Sequence, residues 1–296
     1  MTGTLPAGMS WRRLQPGRAM SETAEEIPDS FTVAGMSWVI LREAVQSMSA
    51  LIASGVIAYA LVSAANWKFQ QEVAELTKGI AAGGLRATAY LLASLPLFFL
   101  HSIVLAAIAI PIHRLVLRDE KANEPVKLFA PRTFAFAGWL VATQFAYVAI
   151  MLPLALLSDA YPVLKALFMT IEIAAVVALF VVVTRLSLLF PAIALGLPVG
   201  GAADRLRQAW ALSRGFFWRI VVSTFFAVIP LGVVMVLVGL VALIVLMAFN
   251  TEHSVSLLPW WQAIATTVSQ PVGAVLGAAA LSWNYRFATF LRIRGS

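Results

Sequence analysis

The stretch IVVSTFFAVIPLGVVMVLVGLVALIVLMAFNT, residues 220–251, contains no charged residue. At about 1.5 Å of rise per residue, a helix of that length more than crosses a hydrocarbon core about 30 Å thick. Five further stretches read the same way. Together they place spans at about 48–65, 87–112, 134–157, 166–184, 220–248 and 261–283. The expected fold is all-α: a polytopic membrane bundle of six transmembrane helices with short interfacial amphipathic helices. It forms one membrane domain over residues 31–296. Residues 1–30 are polar and mixed in charge, and read as a disordered cytoplasmic tail.

Composition agrees. Hydrophobic residues make up 61% and charged residues 12% of the chain, against about 25% charged in a soluble domain. The excess apolar surface must face lipid. The formal charge of +7 invites a nucleic-acid reading, but the bases sit at the ends of apolar runs, where they set topology. No nucleic-acid partner is expected. The chain has no cysteine, which excludes disulfides, thiolate metal sites and cysteine nucleophiles.

The bases sort by side. Arg12, Arg13, Arg18 and Arg42 precede the first span. Arg114, Arg118, Lys121, Lys127 and Arg132 lie between spans two and three. Arg185, Arg205, Arg207, Arg214 and Arg219 lie between four and five, and Arg286, Arg292 and Arg294 follow six. The opposite side holds Lys68, Lys78, Arg86 and Lys165. Positive loops stay in the cytoplasm, so both termini are expected inside, in a bacterial inner membrane. An odd number of spans would destroy this alternation. Trp67, Trp260 and Trp261 fall at the outer boundary, and Trp38, Trp139, Trp210, Trp218 and Trp283 at or near the inner one, as ring amphipathicity favours.

Three segments read as interfacial helices: 36–47, 69–80 and 202–214. The first puts Met36, Val39, Ile40 and Ala44 on one face. The second aligns Phe69, Val73, Leu76 and Ile80. The third follows Gly201, carries Asp204 near its N-terminus and stops at Gly215. The apolar run 186–198 is too short to cross and is expected near the cytoplasmic interface. Gly273-x-x-x-Gly277 offers a groove of small residues for close helix packing, within the chain or between copies. Pro96, Pro153, Pro230 and Pro271 interrupt spans and are expected to bend them.

Ionisable groups inside spans are costly and therefore candidates for function. His101, Gln144 and Glu172 form a candidate intramembrane polar cluster, either a proton relay or solute contact, or a set of structural hydrogen bonds. The candidate lipid-headgroup contacts are Arg114, Arg185, Arg205, Arg207, Trp210, Arg214, Trp218, Arg219 and Arg286, since guanidinium pairs with phosphate in a two-pronged fork. The three histidines are too far apart along the topology to share a metal, and no HExxH, Walker or Gly-x-Ser-x-Gly pattern occurs. No cofactor and no metal are expected.

Four arginine-bearing stretches carry a resemblance: IHRLVLRDE (112–120), TRLSLLFPAIAL (184–195), AWALSRGFFWRI (209–220) and YRFATFLR (285–292). Together they resemble a group of uncharacterised six-helix bacterial inner-membrane proteins. That group is similar to the membrane domain preceding the enzyme in membrane-anchored glycerophosphodiester phosphodiesterases. The best match is Trp210, then Ser213-Arg214-Gly215, then a span; members often carry Asn after that glycine, where this chain has Phe216. The resemblance implies six helices with inward termini and no activity, and no catalytic residue carries over. The expected role is that of a non-enzymatic, membrane-organising or partner-binding integral membrane protein. Its partners would be membrane lipids and a membrane protein. The alternative is a small transporter or permease for a lipidic or amphiphilic solute.

Overall fold

The computed structural model describes residues 28–76, 84–196, 201–249 and 254–294. Among the described residues every regular element is helical. In chain order these are α1 (Ser30–Ser47), α2 (Ser49–Leu76), α3 (Gly84–Arg118), α4 (Pro131–Ala160), a 3-10 turn (Pro162–Leu164), α5 (Lys165–Leu186), α6 (Leu189–Leu195), α7 (Ala202–Leu212), α8 (Phe217–Phe249) and α9 (Ser254–Arg294). Five stretches are long and apolar enough to cross a membrane: Ser49–Val73, Ser94–Arg118, Pro131–Ser158, Lys165–Leu195 and Phe217–Val241. Each contains most of one expected span.

The sixth expected span, 261–283, lies inside α9, a helix of 41 residues. α9 is the hub of the bundle. It packs against α1, α2, α3 and α8, and α6 and α7 touch its end. Val275, Leu276, Ala278, Ala279 and Ala280 are all buried. A helix enclosed by other helices needs small side chains more than large apolar ones.

The expected interfacial segments take different bounds. Segment 36–47 is the last two thirds of α1, and α1 packs against α8 and α9 with Val33, Ala34, Met36, Ser37, Ile40 and Ala44 buried. Val39, expected on the buried face, points outward. Asp29, within the expected tail, caps this helix: its carboxylate accepts from the Thr32 amide at 2.7 Å. Residues 1–27 lie outside the described part. Segment 69–80 is no separate helix either, because α2 runs unbroken to Leu76 and 77–80 lie outside the described residues. The run after Arg185 continues, after a two-residue turn, as α6, which packs against α3, α4 and α9 with Leu189, Pro191, Ile193 and Ala194 buried. α7 keeps nearly the expected bounds, opening after Gly201 with Asp204 in its first turn.

The glycine expectation also shifts. A Cβ at Gly273 or Gly277 would meet nothing within 4 Å. The close approach occurs at Gly55 on α2 instead, where a Cβ would lie 2.7 Å from Ile108 Cγ1 on α3. Hydrophobic spacing cannot reveal which glycine faces a partner. Pro96, Pro153 and Pro230 sit within continuous helices, α3, α4 and α8. Pro271 does the same within α9.

Candidate functional site: the arginine-rich end

The three residues of the expected intramembrane cluster do not pair. The Leu97 carbonyl lies 2.8 Å from His101 Nδ1, and Ser63 Oγ lies 3.3 Å from Nε2. A proton on Nδ1 donated to that carbonyl leaves Nε2 to accept from the serine hydroxyl. The ring also meets Tyr59 edge-on at 4.9 Å. His101 therefore ties α3 to α2. Gln144 is exposed on α4 and Glu172 half-buried on α5. No hydrogen bond or ion pair joins any two of the three.

Polar ties missed by the sequence reading lie nearer the arginines. His113 is fully buried and its Nδ1 sits 2.6 Å from Ser282 Oγ, joining α3 to α9. Asn284, also on α9, donates from Nδ2 to Ser223 Oγ on α8 at 2.8 Å. Sequence reading placed His113 just past a span end, whereas α3 continues to Arg118. The available signal was Ser282 and Asn284 closing an apolar run. A buried polar group without a partner is expensive, so these pairs fix the register of three helices.

The arginine set divides in two. One part is turned inward. Arg185 lies over the Trp210 ring at 4.6 Å. Arg219 faces Phe287 at 5.0 Å and donates to the Pro28 carbonyl. Arg286 faces Trp283 at 5.4 Å. Arg114 pairs with Glu120. A guanidinium over an aromatic face gains roughly 0.5–2 kcal/mol, more as water is excluded. These contacts link α5 to α7, and α8 to both α9 and the segment before α1.

The other part faces outward. Arg207 and Arg214 are exposed, and Trp218 is 72% exposed. Arg207 lies 3.8 Å from Asp204, an exposed pair worth little. Arg205 lines a shallow pocket with Gln208 and Tyr285.

The connector between α3 and α4 is part of the same end. Lys121 binds Glu43 on α1 at 2.7 Å, which raises the Lys121 pKa through the hydrogen bond and the carboxylate charge. Asn123 Oδ1 accepts from the Ala50 amide at 2.9 Å, capping α2, and the Val126 amide donates to Ser54 Oγ at 3.0 Å. Arg118 donates to the Leu195 carbonyl at 3.2 Å. Arg132 lies against Gly196, whose φ is +64° and where a Cβ would come within 2.7 Å of Arg132 Nη2. Both arginines meet the C-terminal end of α6, where carbonyls favour positive charge. The result is a basic surface whose arginines lie on or beside α3, α4, α5, α7, α8 and α9, next to one pinned loop.

Compared with protein-family models, with curated proteins and with solved structures, the chain matches none.

Proposed function

We propose that this chain crosses a bacterial inner membrane six times, the sixth passage being residues 261–283 of α9. The arginine-rich end and both termini then face the cytoplasm. Three points support this: the sorting of bases by side, the even count it demands, and the central position of α9. The likeness to six-helix inner-membrane proteins in the four arginine-bearing stretches points the same way.

In this reading the protein is non-enzymatic and organises its surrounding membrane. It holds anionic headgroups, or a membrane-protein partner, on its cytoplasmic face. The observation that carries the reading is the division of the arginines. Inward ones tie helices together through Trp210 and Phe287, while Arg207, Arg214 and Trp218 are left facing out. A base beside an anionic leaflet adds about 1 kcal/mol. The transporter reading is less supported, because His101, Gln144 and Glu172 form no joint site.

The test is lipid selectivity of the purified protein in mixed bilayers, read by spin-labelled lipids. The unmodified chain is expected to enrich anionic over zwitterionic lipid. Joint replacement of Arg205, Arg207 and Arg214 by Gln is expected to remove most of that enrichment. Equal selectivity in both proteins would rule out the arginine face as the cause.

A further inference from the structure

A cavity of about 400 Å³ lies beneath the α3–α4 connector. That is within the range of small-molecule sites, about 300–1,000 Å³. Its floor is apolar, built from Leu51 of α2 with Ala107 and Ile110 of α3. Its rim carries Arg114, Lys127 and Arg132. The roof is pinned by Lys121, Asn123 and Val126 to α1 and α2, so the space is shaped in advance.

The charges on the rim are unequal in their engagement. Arg114 is paired with Glu120, and Lys127 with Glu124 at 2.5 Å. Glu124 is held below its usual pKa by that lysine, so the pair is ionised at neutral pH. Arg132 has no hydrogen bond or ion pair among the described residues. Its guanidinium is instead placed by packing against Gly196. The rim therefore offers one guanidinium with no carboxylate partner, on a side chain whose fork fits phosphate. An apolar floor beside a single guanidinium that lacks a carboxylate partner matches an amphiphile bearing one negative charge.

Resting on the membrane-organising reading, we propose that this cavity is a phospholipid site. Arg132 grips a singly charged phosphodiester headgroup, and the start of an acyl chain lies over Leu51, Ala107 and Ile110. The phosphodiester chemistry could also come from a soluble source, but the apolar floor favours a lipid. Arg132 and Lys127 are absent from the sequence-derived set of headgroup contacts. The site is distinct from the outward face of α7.

The experiment measures binding of a fluorescent phosphatidylglycerol to the full chain in detergent, with inorganic phosphate as competitor. Arg132→Gln is expected to weaken binding about tenfold or more, the loss of a charge-assisted contact. Ala122→Trp, which fills the mouth without touching a charge, is expected to do the same. Arg132→Lys should fall between wild type and Arg132→Gln. Ile173→Ala, on the outer face of α5 and away from the cavity, should change binding by less than about twofold. Elution as wild type on size exclusion checks each fold; if Arg132→Gln fails that check, Ala122→Trp decides. Wild-type affinity in both Arg132→Gln and Ala122→Trp would overturn the cavity assignment. If Arg207→Gln then weakened binding instead, the membrane-organising reading would survive that loss. Displacement of the lipid by millimolar inorganic phosphate would reassign the site to a soluble anion. No binding of anionic lipid by the wild type would overturn both the cavity assignment and the membrane-organising reading.

Discussion

α3 changes character along its length. Phe98, Phe99 and Leu100 are exposed, whereas Ile103, Val104 and the residues from Ala106 to Ile110 are buried. The same contrast separates whole regions. The arginine-rich end is a packed core crossed by polar ties, from His113 to Ser282 and from Asn284 to Ser223. α5 and the far half of α8 expose Leu167, Ile173, Val177, Val236 and Val241. In water so broad an apolar surface would drive association; against lipid it is simply the solvated side. Both regions are apolar in sequence. What separates them is the presence of buried small and polar side chains among the aliphatic ones on the protein-facing side.

Deleting an inner tie should produce the largest effect. His113→Ala removes a buried ring and strands the Ser282 hydroxyl, and should cost about 2–4 kcal/mol. Thermal unfolding in detergent reads this. Ile173→Ala on the outer face should stay within about 0.5 kcal/mol. Equal losses would erase the contrast.

The glycines sharpen it next. Gly55→Ala forces Ile108 to move and should cost about 1–3 kcal/mol. Gly277→Ala enters open space and should be neutral, or stabilising by up to about 1 kcal/mol through helix propensity. The two substitutions should therefore differ in sign in the same assay.

How far the sequence carries can be judged from these residues. Lipid-crossing stretches were readable because burial in hydrocarbon demands long uncharged runs, which composition displays directly. Gly273 and Gly277 were the obvious packing pair by spacing, yet Gly55 makes the close contact, because spacing reports a face and not what lies across it. The candidate polar cluster meets the same limit: His101, Gln144 and Glu172 make no hydrogen bond or ion pair with one another, and spacing alone does not report what a side chain faces. The arginines stood out as a class by their place at the ends of apolar runs. Their division into inward and outward sets depends largely on Trp210 and Phe287 reaching Arg185 and Arg219 from other helices, whereas Trp283 lies three residues before Arg286 on α9. Arg132 was passed over because nothing adjacent in sequence shows the cavity beside it.

The smallest expected effect concerns the edge of the packed region. Asp29 is held below its ordinary pKa by the Thr32 amide it caps. A lowered folded-state pKa means the cap is fully present above the unfolded value, about 4. It is lost as pH falls through the folded value. Hydrogen exchange at the Thr32 amide should therefore show declining protection in acid, beyond the intrinsic pH effect. Asp29→Ala should abolish that pH dependence, and its persistence would assign the protection to another group.

The cysteine-free sequence permits a direct test of sidedness. Val163, 95% exposed between α4 and α5, and Ala122, exposed on the pinned connector, lie at opposite ends of the bundle. Each is replaced singly by cysteine and treated with a membrane-impermeant thiol reagent on intact spheroplasts. Val163→Cys should label at once, and Ala122→Cys only after lysis. Labelling of Ala122→Cys in intact spheroplasts, with Val163→Cys protected or equally reactive, would contradict a cytoplasmic arginine-rich end.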